Sequence, residues 1–274
     1  MNILEVLNKS TDFLEKKGVK SPRLQVEHMI AHMLGLTRMQ IYLEFERILS
    51  DSEMNALREM VKRRGKYEPL QHIIGEVDFH GLQVKTTKDA LIPRPETEAF
   101  VEFILANTEL GRTKRVYDVG TGSGVIALAL AHEWKECEII AIDIDDKALN
   151  LARENHRTYE HLNITWREGN LLQNITENAD VVVANLPYLT TDEMHSLSHE
   201  VQCDPARALD GGSNGLDFIA PLIEQSASIA PQLFLETGIG HVCEVESLLK
   251  KVGYRHTRVE EDLTGRERFV MGAM

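Results

Sequence analysis

Val116–Ala131 reads VYDVGTGSGVIALALA. Val116–Val119 has the length and apolar content of a short buried strand, Gly120, Gly122 and Gly124 interrupt it, and an Ala/Leu-rich helix follows at once. Glycine lets the backbone turn tightly and approach a ligand with no Cβ in the way, while the start of the helix offers unpaired N–H groups and a positive dipole end. The stretch therefore predicts a nucleotide-sized, partly anionic ligand at the turn.

From here onward strand and helix patterns alternate, the signature of a doubly wound α/β sheet. The spacing G-x-G-x-G behind Asp118 differs from the G-x-G-x-x-G of a dinucleotide fold, and it resembles motif I of S-adenosylmethionine-dependent methyltransferases. That resemblance implies cofactor contacts from Asp118, Gly120, Thr121, Gly122, Ser123 and Gly124. A plain strand-to-helix turn that needs glycines for packing is the alternative. The second strand, Glu138–Ile142, ends at Asp143, about 20 residues beyond the turn, where a carboxylate can take ribose hydroxyls. Asp145 and Asp146 read as caps of the next helix. After the third strand, Ile164–Arg167, comes Gly169-Asn170-Leu171. Methyltransferases of this class often carry Asp after such a glycine, binding the adenine amino group; Asn170 keeps a carbonyl acceptor for that bond, and Leu171 is expected against the adenine face.

Asp180–Ala184 is a buried-strand run ending in Asn185-Leu186-Pro187-Tyr188. Ligands of open α/β sheets sit beyond the carboxyl ends of strands, so this tetrapeptide shares a rim with the glycine turn and Asp143. It resembles the (N/D)-P-P-Y motif of enzymes that methylate a nitrogen conjugated to a planar system. Such a nitrogen is a poor nucleophile, and two acceptors in the plane of its N–H bonds are needed to aim its lone pair. Asn185 Oδ1 and the carbonyl of Leu186 could supply both. Pro187 stiffens the turn and Tyr188 offers a flat face. The expected catalytic residues are Asn185 and Tyr188, and the expected substrate-binding residues are Asn185, Leu186, Pro187 and Tyr188, with Asn185 also bordering the cofactor. Leu186 stands where proline is usual, and N-L-P-Y also resembles the motif of rRNA adenine dimethylases. An N6-adenine methyltransferase of RNA or DNA therefore stays open.

Residues 1–70 read as helices. Gly18 and Gly35 are expected stops, Ser21-Pro22 an N-cap and first-turn proline, and Thr37 the start of a short helix. Ser50-Asp51-Ser52-Glu53 forms a capping box for a helix over 51–64. The run Lys62, Arg63, Arg64, Lys66 reads as a solvated last turn or as a patch for an acidic partner. Leu70–Thr87 reads as a β-hairpin turning near His80-Gly81, and Leu91–Glu98 as a proline-stiffened lead into a helix.

The stretch EPLQHIIGEVDFHGLQV with LIPRPETE closely resembles the same segment of the bacterial peptide chain release factor glutamine methyltransferases. The resemblance continues through His199-Glu200-Val201, Asp204-Pro205, Ala208-Leu209, Asp210-Gly211-Gly212, Gly215-Leu216 and Asp262-Leu263-x-Gly265-x-x-Arg268. It implies an α/β fold with a Rossmann-like, seven-stranded class I methyltransferase sheet over 91–274, a β-hairpin linker over 71–90 and a helical bundle over 1–70 that helps hold the protein substrate. It implies methylation of the N5 amide nitrogen of the glutamine in the Gly-Gly-Gln loop of class I peptide chain release factors, with S-adenosylmethionine as donor, S-adenosylhomocysteine as product and no metal. The loop around Gly211 and Gly212 is either a wall of the site or plain surface. Glu236, ending the strand LFLE, receives no role.

Composition sets bounds on these readings. No run of about 18 apolar residues occurs, so no membrane span is expected, and the first residues lack the pattern of a secretory leader. Cys137, Cys203 and Cys243 lie far apart without C-x-x-C spacing, and the 11 histidines show no ligand spacing. A reduced cytoplasm without a metal site is expected. The net charge is −13, yet residues 1–70 carry 12 Lys and Arg against 10 Asp and Glu, the remainder 18 against 33. Direct nucleic-acid binding is not expected, because it needs clustered cations. A module that binds the cofactor without turnover would require a damaged acceptor site, whereas Asn185, Pro187 and Tyr188 are intact.

Overall fold

Capping chemistry sets the helices of the N-terminal region: α1 (Ile3–Lys16), α2 (Pro22–Leu34), α3 (Arg38–Leu43), α4 (Asp51–Arg64) and α5 (Leu70–Ile74). Asn2, Thr37 and Ser50 close reciprocal capping boxes with Glu5, Gln40 and Glu53, satisfying donors that the first turns would otherwise expose. Ser21 is different. It sits in the left-handed region at φ 48° and makes no side-chain cap, so Pro22, with its fixed φ, starts α2. Inward faces such as Ile3, Leu7, Val26, Ile30, Leu57 and Val61 form one apolar core. The computed structural model describes residues 1–109, 111 and 113–274. The chain divides into two compact units, Met1–Glu76 with Ser198–Cys203, and Val77–Leu197 with Asp204–Met274.

Two expectations for the first unit are corrected. Ile73 and Ile74 are helical rather than strand, because Leu70 and Ile73 at i,i+3 suit one helical turn and Gly75, at φ 89°, terminates it. The basic run is neither wholly solvated nor an open patch. Arg64 is fully buried, donating to Gln25 Oε1, the Glu68 carbonyl and the Glu200 carboxylate, while Arg63 forks onto Glu68 at 2.8 and 2.7 Å.

In the second unit, β1 (Glu76–Phe79) and β2 (Leu82–Lys85) form a hairpin. Its turn, His80-Gly81, has φ 51° and 75°, the positive pair that matches strand twist. Phe79, Leu82 and Val84 enter the core of this unit, so the hairpin is packed rather than slack. There follow α6 (Pro95–Ala106), β3 (Arg115–Val119), α7 (Val125–Glu133), β4 (Glu138–Asp143), α8 (Asp146–Arg157), β5 (Ile164–Glu168), β6 (Val181–Asn185), α9 (Thr191–Met194), α10 (Ile219–Ser226), β7 (Gln232–Glu236), α11 (Val242–Val252), β8 (His256–Glu261) and β9 (Glu267–Ala273).

The seven-stranded sheet runs β5-β4-β3-β6-β7-β9-β8, parallel through β7, with β9 antiparallel to both neighbours. Period-two alternation explains its two cores. Val116, Ile139, Val181 and Phe234 face one side with α6 and α7, whereas Tyr117, Ile140, Val182 and Leu233 face the other with α10 and α11. Register aligns Val119 with Ile142 and Ala184, and Asn185 with Glu236, so the carboxyl ends of β3, β4, β6 and β7 share one rim. Among the described residues no helix is long and apolar enough to cross a membrane.

Candidate active site

A cleft of about 280 Å³ opens at that rim, lined by Gly120, Thr121, Gly122, Ser123, Asp143, Asn170, Leu171, Asn185, Leu186 and Pro187. Three expected residues, Asp118, Gly124 and Tyr188, do not line it. A Cβ at Gly124 would lie 2.7 Å from the Trp166 ring, which makes this glycine a packing requirement. Gly122 is the opposite case. At φ 57° its missing side chain would meet nothing within 4 Å, so bare backbone faces the cleft.

Asp118 lies fully buried beneath the turn. Its Oδ2 accepts from Thr121 Oγ1 at 2.6 Å and from the Ala127 N–H at 3.1 Å, tying the turn to the first turn of α7. Burial pushes its carboxyl up to about 7, against those two hydrogen bonds. Asp143 accepts from the Gly122 N–H at 2.8 Å and the Asp145 N–H at 2.9 Å, and burial raises its pKa as well. Gly120 and Thr121 donate to the Ile142 carbonyl at 2.8 and 3.0 Å. The expectation of a partly anionic ligand is thereby narrowed: the protein's own carboxylates and carbonyls take the N–H groups of Gly120, Thr121, Gly122 and Ala127, which a phosphate would otherwise compete for. What remains is a cleft with the carboxylates of Asp143 and Asp145 on one wall, Arg94 and Arg207 also at its edge, and Leu171, Ile144, Ala148 and Phe218 as its apolar surface. That chemistry fits a nucleoside bearing positive charge.

Asn185, at the end of β6, donates from Nδ2 to Thr97 Oγ1 at 3.1 Å, and Thr97 donates to Glu236 Oε2 at 3.0 Å. Leu186, at the position of the usual proline, buries its side chain where a Cβ on Gly120 would fall, 2.6 Å from Leu186 Cδ2. The acceptor turn and the glycine turn are thus in contact. Tyr188 stands behind the cleft, its hydroxyl accepting from Arg268 Nη1 at 3.1 Å. Burial, reinforced by the Glu236 carboxylate, pushes this phenol up to about 12. Arg268 is held by Asp262 at 3.0 Å. The loop around Gly211 packs against the back of the acceptor turn and does not line the cleft: Gly211 donates to the Leu189 carbonyl at 2.7 Å, and a Cβ there would lie 2.8 Å from Tyr188 Cα.

Sequence reasoning left out Thr97, Arg94, Arg207 and Phe218, all on the cleft wall. Arg94 pairs with Asp204, and Arg207 with Asp145 at 3.0 Å. Arg94 lies inside LIPRPETE, whereas Arg207 falls in the gap between Asp204-Pro205 and Ala208-Leu209. Asp145 caps α8, accepting from the Lys147 N–H at 3.0 Å, while also bordering the cleft. Among the described residues no group of three or more His, Cys, Asp or Glu could hold a metal ion.

This sheet order, with its glycine turn and an Asn-x-Pro-Tyr rim beside the cleft, defines a methyltransferase of Rossmann-like type, and residues 95–216 match the family model described as methyltransferase small domain. Residues 5–75 match the PrmC N-terminal domain. A release factor glutamine methyltransferase of Deinococcus radiodurans is 36% identical over 274 residues, covering 98% of each chain, and one of Geobacter sulfurreducens is 35% identical over 275 residues, covering 98% of this chain and 96% of the other. The chain belongs to the release factor glutamine methyltransferase family. Among solved structures, the hMettl16 catalytic domain bound to a MAT2A 3'UTR hairpin shares the fold with a TM-score of 0.59 and 18% identity, over 82% of this chain and 80% of that one.

Proposed function

We propose that this enzyme methylates the N5 amide nitrogen of the glutamine in the Gly-Gly-Gln loop of class I peptide chain release factors, using S-adenosylmethionine and yielding S-adenosylhomocysteine. The observation that carries the reading is the Asn185–Tyr188 turn at the cleft, where Asn185 spends its amide nitrogen on Thr97 and keeps Oδ1 for a substrate.

S-adenosylmethionine, when bound, supplies an electrophilic methyl group on a positively charged sulfur. Asp143 would hold the ribose hydroxyls, Asn170 the adenine amino group and Leu171 the adenine face, with the bare backbone at Gly122 beside the remainder. Asn185 Oδ1 and the Leu186 carbonyl accept the two N–H bonds of the incoming amide, which fixes the amide plane and so aims the nitrogen lone pair, perpendicular to that plane, at the methyl donor. Tyr188, behind the cleft, stays protonated at neutral pH and backs the acceptor turn rather than serving as a base. The two oxygen acceptors favour positive charge growing on nitrogen, and the proton leaves afterwards to water.

The N-terminal helical unit is the proposed holder of the protein substrate, and the exposed Met39, Leu43 and Ile48 around α3 support that role. Membership of this family and a substrate drawn from translation imply a cytoplasmic enzyme.

The test is incubation with methyl-labelled S-adenosylmethionine and either a class I release factor or matched ribosomal RNA. Label in the release factor is the expected result. Label in the RNA alone overturns the reading in favour of adenine methylation.

A further inference from the structure

We infer that Thr97 and Glu236 are positioning residues that lock the Asn185 amide with its oxygen toward the methyl acceptor. The inference rests on the reading that Asn185 Oδ1 accepts an N–H of the substrate. Asn185 and Glu236 are register partners on β6 and β7, so their side chains leave the sheet on the same face, and Thr97 reaches them from the first turn of α6.

The logic lies in proton counting. A primary amide is nearly symmetrical in shape, and packing alone scarcely distinguishes its oxygen from its nitrogen. Thr97 has a single hydroxyl proton, and it goes to Glu236 at 3.0 Å. Its oxygen is then left to accept, which selects Nδ2 of Asn185 at 3.1 Å and forbids the flipped amide, where two acceptors would face each other. An ionised carboxylate accepts only, so the direction of the whole chain originates at Glu236.

Protonation of Glu236 would undo the polarity. Its new O–H could donate to Thr97, whose proton could then meet the oxygen of a flipped Asn185, presenting N–H donors to a substrate that is itself a donor. The groups facing Glu236 are Thr97, Arg268, Asn185 and Glu96, with Tyr188 bonded to Arg268. Burial dominates them and lifts the carboxyl to about 7. The switch therefore falls within the working range.

Two measurements test this. The first is steady-state kinetics of Thr97→Val, Thr97→Ser and Glu236→Gln on whichever acceptor the wild type methylates. Thr97→Val should lower kcat about 10- to 100-fold with KM and cofactor Kd within about twofold, because the acceptor is mis-set while binding is kept. Thr97→Ser, which retains the hydroxyl, should recover kcat to within about threefold of wild type. Wild-type kcat should fall on the acid side of about pH 7, and Glu236→Gln should be low and flat there. The second is NMR of the Asn185 side-chain amide in the protein alone. Its proton resonances should move with Glu236 titration in wild type and stay still in Glu236→Gln. A full-rate Thr97→Val, or an Asn185 amide blind to that titration, overturns the inference. Because the NMR arm needs no acceptor, a wrong substrate assignment leaves it standing, and the two failures are distinguishable.

Discussion

Two buried carboxylates, Asp118 near the end of β3 and Glu236 at the end of β7, stand on either side of β6 and solve similar problems. Each accepts a threonine hydroxyl proton, Asp118 from Thr121 at 2.6 Å and Glu236 from Thr97 at 3.0 Å, and burial pushes each up to about 7. They differ in what the threonine serves. Thr121 belongs to the glycine turn, three residues from its carboxylate, so Asp118 fixes backbone. Thr97 is 139 residues from Glu236 and passes the polarity on to Asn185, so Glu236 fixes the direction of a side chain. A buried acid that holds backbone should affect binding and stability. One that aims an amide should affect turnover.

The largest effect is expected at the end of the Glu236 chain. Asn185→Ala should lower kcat by about 10³-fold while cofactor affinity, measured by calorimetry, changes by no more than a few fold. Comparable losses in both would merge the two sites into one. Next is the cofactor side of the comparison. Asp143→Ala should weaken cofactor binding about 10- to 100-fold, in line with the loss of charge-assisted hydrogen bonds, and leave kcat near wild type once cofactor is saturating.

Asp118→Asn should be milder. Oδ1 of Asp118 has no hydrogen-bond partner among the described residues, so an amide nitrogen placed there becomes a buried unsatisfied donor costing about 1–3 kcal/mol of stability. Chemical denaturation should show that loss, with kcat at saturating cofactor unchanged. A kcat loss in Asp118→Asn matching that of Glu236→Gln would erase the contrast.

The smallest effect is on the pH dependence of stability. Both carboxyls bind protons more tightly folded than unfolded, so their contribution is full below the unfolded carboxylate range and is lost as pH rises through about 7. Between pH 5 and 8 the wild-type Tm should fall more steeply than that of Glu236→Gln. Activity has the opposite sign over the same interval, since the Asn185 chain needs Glu236 ionised. Parallel Tm curves for the two proteins would show that Glu236 does not titrate there.

The comparison also explains what the sequence disclosed. The glycine turn, Asp143, Asn170 and the Asn185–Tyr188 turn each sit at or just beyond a strand end, and all these positions except Gly124 and Tyr188 meet at the cleft. Asp118 was visible by the same local spacing, though its role as a brace under the turn was not. Thr97 and Glu236 did not stand out: one lies in a stretch that reads as a linker, the other looks like any strand end. Their meeting depends on the pairing of β6 with β7 and on where α6 begins, which one-dimensional spacing does not encode. The misread Ile73-Ile74 pair has a related cause, because a short apolar run suits a strand or a single helical turn. Arg64 looked like a solvated cation for want of any local sign that Gln25 and Glu200 would enclose it.

The most direct measurement is tandem mass spectrometry of a class I release factor after reaction with S-adenosylmethionine and either wild type or Asn185→Ala. A single added methyl on the glutamine of the Gly-Gly-Gln loop with wild type, and almost none with the variant, is the predicted result. A methyl on any other residue, or an equal yield from both proteins, would contradict it.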